Sequence, residues 1–325
     1  MPRQPHLPLD VLSREVERLA PGSAPPVVSR PVDGVSSQIY RVSRGAEVLY
    51  LLAGDTSDED LTILAEVLER ARRLGARVPH VVAVERNAGE LDRSLLLMTE
   101  IPGRPLAEVT DPGIARRAAY CAGRDAALLN SLTVDGFGWI DWSDPTWPPK
   151  GPRPSYGEFA REFIPTDVAE RHALLHGLFA DHDLGALDDV IAAQEGRELD
   201  RGTLSHGDLD VTAVYVHQGE YAGLIDFSEL RGGEPEFDCA HFLLHDQETN
   251  PIALSDAFFE GHAEVAGASA PLALVRQVAI LVGLRQLCRA EGRGVPRSFL
   301  THFRVAQLLN LLEGRPACAP RSSSR

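Results

Sequence analysis

Residues 204–240 read LSHGDLDVTAVYVHQGEYAGLIDFSELRGGEPEFDCA, and the fold of the chain turns on how this stretch is read. Val214 to Val216 and Tyr221 to Ile225 are β-branched and aromatic runs, and Gln218-Gly219 between them supplies turn chemistry, which predicts a hairpin. Asp208 lies in the loop entering the first strand and Asp226 closes the second. Two carboxylates then share one rim of a cleft, and paired carboxylates invite a divalent metal. Beyond them, Gly232-Gly233 is followed by Glu234-Pro235-Glu236, which sets a proline and two acids where a new helix begins.

On the N-terminal side, Leu9 to Leu19 has apolar residues at helical spacing and is stopped by Pro21-Gly22. A turn-rich segment from Pro31 to Gln38 leads into a strand at Ile39 to Val42, and Arg44-Gly45 turns into a second strand at Glu47 to Leu52. Ser57 to Leu74 reads as a helix, with Leu61, Leu64, Ala65, Leu68 and Ala71 on one face, Ser57 and Asp60 in capping-box order, and Gly75 as its stop. Val81 to Glu85 and Ser94 to Glu100 read as strands. Pro112 to Leu132 is helical, whereas Thr133 to Gly157 is crowded with proline, glycine and Trp139, Trp142 and Trp147. That long loop is either a substrate-facing insert or a locally packed aromatic patch. Helical patterns follow at Tyr156 to Ala180 and Leu184 to Gln194, with Asp181, His182, Asp183 and Asp188 adding either acidity near a substrate or solvated surface. After the central stretch, helices are expected at Phe237 to Asp246, Pro251 to Ala266, Pro271 to Leu287 and Pro296 to Leu312, before a disordered tail from Pro316 to Arg325.

The chain has 325 residues and 44% apolar content, enough for a bilobal unit or two domains. Its formal charge of -15, from 47 acids against 32 bases, argues against a nucleic-acid partner. It suits a cationic ligand, and equally a chain that is acidic for solubility alone. Cys121, Cys239, Cys288 and Cys318 show no CxxC spacing, so neither a disulfide framework nor a zinc site is expected. Residues 1–6 lack an apolar signal core and no apolar run approaches the ~20 residues of a membrane span, so a cytoplasmic protein without membrane partners is expected.

His206-Gly207-Asp208-Leu209, Ile225-Asp226-Phe227, Gly233-Glu234-Pro235 and Asp238-Cys239-Ala240 resemble, in order and spacing, the motif blocks of the aminoglycoside phosphotransferase family and its small-molecule kinase relatives. The resemblance implies an α+β, bilobal protein-kinase-like fold. A small N-terminal nucleotide-binding lobe, an antiparallel sheet with one main helix, would span residues 1–101. A connector at 102–106 would join it to a larger, mainly helical catalytic and substrate lobe at 107–315, followed by a tail at 316–325. By the same resemblance Asp208 accepts the proton of the acceptor hydroxyl, His206 braces its loop and Asp226 holds Mg2+ on the phosphates of ATP or GTP. Asp238 is a structural helix-start aspartate. Gly34, Ser36 and Ser37 match residues lying over the phosphates. Glu66, with Glu69 as fallback, matches the helix glutamate that pairs with a phosphate-holding lysine or arginine, and residues 99–102, including Glu100 and Ile101, would face adenine.

Two positions depart from that pattern. The fifth residue after Asp208, where the family has a metal-binding asparagine, is Ala213. The strand position for the phosphate-holding cation is Leu52, and the one lysine of the sequence is Lys150, so Arg41 or Arg44 would have to serve. Each lost charged contact, at about 1.5–3 kcal/mol, costs about tenfold to a hundredfold in rate. The leading expectation is a nucleotide- and Mg2+-dependent phosphotransferase acting on a hydroxyl of a small polar, possibly cationic, aminoglycoside-like molecule. A kinase-like protein that only binds a ligand or partner is the alternative that Ala213 and Leu52 favour. A metal hydrolase built on His206, Asp208 and Asp210 is a third. His241 and His245 share a helical face without the glutamate of HExxH and read as packing residues.

Overall fold

The computed structural model of the protein describes residues 6–31, 38–294 and 299–318. The N-terminal lobe comprises α1 (Leu9–Leu19), β1 (Val27–Ser29), β2 (Gln38–Arg44), β3 (Glu47–Ala53), α2 (Thr62–Leu74), β4 (Val81–Ala88) and β5 (Arg93–Thr99). Its five strands form an antiparallel sheet in the order β1-β2-β3-β5-β4. Alternation along β2 and β3 sends Tyr40, Val42, Leu49 and Leu51 to one face, where Leu12 and Val16 of α1 close a small core. The other face, carrying Leu52, Val84, Leu96 and Met98, packs toward α2 and the rest of the molecule.

Helix α2 begins at Thr62 rather than Ser57. Its first turn is held by Asp60, whose carboxylate accepts from the Thr62 N–H at 2.9 Å and pairs with Arg86 at 2.8 Å. The Asp60 N–H donates to the Trp142 carbonyl at 2.7 Å, so the helix start is tied to the second lobe. The capping box expected at Ser57 therefore loses to a tertiary contact. The helix ends at Gly75 in the left-handed conformation, φ 102°.

β6 (Arg104–Pro105) follows in the connector, then α3 (Pro112–Asn130), β7 (Thr133–Val134), β8 (Gly138–Trp139), α4 (Tyr156–Phe163), α5 (Val168–Leu175), α6 (Asp181–Glu195) and β9 (Gly202–Ser205). The predicted hairpin is present as β10 (Val214–His217) and β11 (Glu220–Leu224), with Gln218 and Gly219 both at positive φ. β12 (Arg231–Gly233), α7 (Phe237–His245), α8 (Ser255–Ala266), α9 (Leu272–Gly292) and α10 (Phe299–Leu312) complete the chain. β6 adds to β10, which ties the connector to the hairpin beneath it. The helix expected over 156–180 is two helices, because Asp167 starts a new one by accepting the Glu170 N–H at 2.8 Å. The Gly232-Gly233 pair is part of β12, an inner strand of a small sheet ordered β7-β9-β12-β8. A Cβ at Gly232 would stand 2.6 Å from the Val134 side chain, so the strands meet only because that position is glycine.

The large core joins α3, α7, α8, α9 and the β10–β11 hairpin. The segment after α10 is anchored as far as Cys318: Ala317 accepts from the Asn310 amide at 2.8 Å and the Cys318 thiol donates to the Asp246 carbonyl at 2.8 Å. All four cysteines are free thiols. Among the described residues no helix is long and apolar enough to cross a membrane.

Candidate active site

Asp208 sits in the loop between β9 and β10, and that loop is held from below by one buried carboxylate. Asp238, fully buried at the start of α7, accepts from the His206 N–H at 3.0 Å, the Gly207 N–H at 3.1 Å and the Asn130 amide at 2.8 Å. Gly207 adopts φ 90°, and a Cβ there would fall 1.8 Å from the Glu229 carbonyl oxygen. His206 is likewise buried. Its Nε2 lies 2.9 Å from the Ile225 carbonyl, its Nδ1 lies 3.4 Å from the Asp208 N–H, and Phe227 packs 4.8 Å away. A ring donating at Nε2 and accepting at Nδ1 satisfies both contacts, and it links the Asp208 loop to the strand end that precedes Asp226.

The Asp208 side chain remains 54% exposed, with its Oδ1 3.3 Å from Nε2 of the buried His241. Burial alone would raise the Asp208 carboxyl, but the His241 hydrogen bond and charge outweigh it and hold the group below the usual carboxylate value. Burial opposes a charged His241 too, yet Asp208, Asp210 and the Leu209 carbonyl lift it above the usual imidazole value. His245 stacks 4.2 Å from His241; burial and that neighbouring charge push it well below the usual value. The two histidines expected to be mere packing residues thus differ: His241 pairs with Asp208 and is shifted up by it, and His245 behind it is shifted down.

Asp226 is exposed at the end of β11, in the left-handed conformation at φ 64°, and accepts from the Ser228 hydroxyl at 2.8 Å. Ala213 is buried; its N–H donates to the Asp210 carbonyl at 3.2 Å and its carbonyl accepts from the Ile225 N–H at 3.0 Å. It therefore braces the two carboxylate loops by backbone alone. Asp210 turns back to accept from the N–H and hydroxyl of Thr212, both at 2.6 Å. Among the described residues no three His, Cys, Asp or Glu side chains converge as a metal site, which removes the geometric basis for the hydrolase centre at His206, Asp208 and Asp210. A lone exposed aspartate suits instead a Mg2+ ion that arrives on phosphates, because Mg2+ keeps several waters and takes one or two carboxylates.

In the N-terminal lobe, Gly34, Ser36 and Ser37 lie outside the described residues. Glu66 pairs with Arg70 of its own helix at 2.6 Å rather than with a cation from β2 or β3. Arg70 in turn lies 3.9 Å above the Trp147 ring. Arg44 cannot substitute at the cleft: it is buried on the α1 side, paired with Glu17 at 2.7 Å. Arg41 is on the opposite face, in register with Tyr50. The Tyr50 hydroxyl is raised by burial and by the Glu100 carboxylate, so Arg41, Tyr50 and Glu100 form a polar patch at the connector. Ile101 is half-buried against Gly223 of β11. Lys150 is committed to Asp144 at 2.6 Å, and Asp188 to Arg171 and His172.

On the other side of Asp208 a cavity of about 170 Å3 opens between the loop, α7 and α9. Its wall contains Arg231, Arg285 and Arg289, none of which was expected from the sequence. Trp139 is the one tryptophan of the long loop that reaches it, donating to Glu229 at 2.7 Å. A readable signal did exist, since Arg285 and Arg289 are four residues apart on one helix, after the apolar run Val278 to Leu284.

Residues 27–274 match the family model described as "Phosphotransferase enzyme family". Solved structures share the fold at low identity. A thermostable mutant of aminoglycoside phosphotransferase APH(4)-Ia aligns at 15% identity and TM-score 0.63, covering 94% of this chain and 99% of that one. A protein described as a putative fructosamine-3-kinase from Thermobifida fusca aligns at 20% identity and TM-score 0.60, over 93% and 97% of the two chains. The amicoumacin kinase hAmiN, in complex with AMP-PNP and Ca2+, aligns at 14% identity and TM-score 0.59, over 95% and 94%. No curated protein matches the chain in sequence.

Proposed function

Since the chain belongs to the phosphotransferase enzyme family, we propose that it transfers the terminal phosphoryl group of ATP or GTP, bound with Mg2+, to a hydroxyl of a small molecule. One observation carries this reading: the half-exposed Asp208 stands on a loop pinned by Asp238 and His206, next to the strand end that presents Asp226. Relatives with this fold have been solved with AMP-PNP and hygromycin B and with AMP-PNP and Ca2+, which supports a nucleotide donor.

In this reading Asp208 orients the acceptor hydroxyl and takes its proton. The hydroxyl oxygen bonds to the γ-phosphorus, the bond from that phosphorus to the bridging oxygen breaks, and nucleoside diphosphate leaves. His241 keeps Asp208 ionised and aimed. Asp226 would hold Mg2+ together with the nucleotide phosphates, and the ion would neutralise their charge. The protein's share is positioning and fixed charge rather than covalent chemistry.

Thermal melting with and without ATP or GTP, each with and without Mg2+, tests the donor half. A metal-dependent stabilisation is expected in the wild type and in Asp208→Asn, while Asp208→Asn abolishes acceptor-dependent release of nucleoside diphosphate. Full turnover by Asp208→Asn would remove it from the mechanism. A second reading, binding without transfer, draws on the apolar Leu52 and the buried Ala213. It gains if nucleotide stabilises the protein but is consumed with no acceptor.

A further inference from the structure

Three guanidinium groups line the cavity beside Asp208, in a chain whose net charge is -15. Arg231 is 2% exposed. Its Nη2 lies 3.1 Å from Glu234, its face lies 3.7 Å from the Phe237 ring, and its Nε and Nη1 are buried without a hydrogen-bond partner. Arg285 donates Nη1 to the Phe163 carbonyl and lies 4.6 Å over the Trp139 ring. Burial, Arg289 and Arg231 pull Arg285 down to about 10. Arg285 and Arg289 stand four residues apart on α9, where like charges repel each other. Of the two carboxylates on the cavity wall, Glu229 accepts from the Trp139 indole N–H and offsets part of the Arg285 charge, and Asp208 is paired with His241.

A wall that crowds three fixed cations around a small space, one of them buried with unused donors, carries a standing electrostatic cost that an oxyanion would relieve. Planar guanidinium forks match carboxylate and phosphate oxygens, often in pairs. The cavity is bounded by Asp208, α7 and α9, and neither Asp226 nor any N-terminal-lobe residue lines it, so it lies on the acceptor side of Asp208 rather than the nucleotide side. The geometry points to an acceptor that is a small hydroxylated oxyanion, a carboxylate or a phosphate monoester, whose anionic end docks on Arg285 and Arg289 while its hydroxyl meets Asp208. Arg231 supplies charge from behind. This rests on the phosphotransferase reading and reverses the expectation of a cationic acceptor, since the whole-chain charge does not describe the pocket. The transfer balances as before: the acceptor hydroxyl of the anion gains a phosphoryl group, its proton passes to Asp208, and nucleoside diphosphate leaves.

The test uses the full chain with Mg2+ and AMP-PNP, titrated with gluconate, glycerol 3-phosphate, glycerol or neomycin and followed by thermal melting. The two anions are expected to stabilise the complex saturably and the neutral and cationic compounds not to. Stabilisation by gluconate alone or by glycerol 3-phosphate alone would identify the carboxylate or the phosphate monoester. Arg289→Gln, an exposed position whose change leaves the fold intact, and Arg285→Gln should each raise the apparent Kd for the anion about tenfold or more. Arg289→Lys should recover part of the loss, and the nucleotide Kd should stay unchanged in all three. The inference is overturned if neomycin or glycerol stabilises as well as the anions, if no anion gives a saturable shift, or if both glutamine variants bind the anion as wild type does. A loss of AMP-PNP binding in the wild type would instead overturn the phosphotransferase reading itself.

Discussion

Asp238→Asn is the substitution whose cost follows most directly from the structure. The Asp238 carboxylate accepts three donors: the buried His206 N–H and the half-buried Asn130 amide on Oδ2, and the half-buried Gly207 N–H on Oδ1. An asparagine can keep its oxygen toward the first two only by turning its NH2 against Gly207. One charge-assisted bond of about 1.5–3 kcal/mol is then lost, and the half-buried Gly207 N–H faces another donor at about 1–3 kcal/mol. Burying a neutral amide instead of a carboxylate returns part of this. The expected net loss is about 2–4 kcal/mol, a large share of a folding free energy of about 5–15 kcal/mol. Urea unfolding followed by tryptophan fluorescence measures it, and acceptor-dependent nucleotide turnover should fall as well, because the Asp208 loop hangs from the same bonds. A midpoint shift equivalent to less than about 1 kcal/mol, with turnover intact, would refute the claim that Asp238 holds the loop.

Gly207→Ala combines φ 90° with a Cβ 1.8 Å from the Glu229 carbonyl; an expected loss of about 3 kcal/mol or more is checked by the same unfolding curves. The Asp208–His241 pair should stabilise the fold only inside a pH window. Asp208 contributes above the ordinary carboxylate value of about 3.9 and loses its contribution as pH falls through its lowered pKa, while His241 contributes fully below about 6.5 and loses its share as pH rises through its raised one. NMR titration of the His241 ring should show a midpoint above 6.5 in the wild type and a lower one in Asp208→Asn, where only Asp210 and the Leu209 carbonyl are left to oppose burial; an unmoved midpoint would contradict the pairing. Asp226→Asn, which keeps a residue tolerant of the left-handed backbone at φ 64°, should erase most of the Mg2+-dependent part of nucleotide stabilisation in thermal melting, with little change in the melting of the free protein, since Asp226 is exposed.

Local pattern and motif order carried much of this protein in the sequence itself. Helix α1, the β2–β3 and β10–β11 hairpins, and the two carboxylates on loops flanking β10 and β11 are short-range features, set by periodicity, turn residues and spacing along a few dozen residues. The start of α2 moved because Asp60 answers to Trp142 from the other lobe, and β12 formed through a glycine pair because Val134 needed the space. The charge partners were the least legible. Glu66 took Arg70 from its own helix, Arg44 turned to α1, and His241 became the partner of Asp208 from thirty-three residues away. The sequence by itself determined the family, the hairpins and the placing of Asp208 and Asp226 on the loops at either end of the β10–β11 hairpin. Only the tertiary structure decided that Arg231, Arg285 and Arg289 converge beside Asp208, because long-range packing of α9 against α7, which no local rule encodes, determines which charges share a wall.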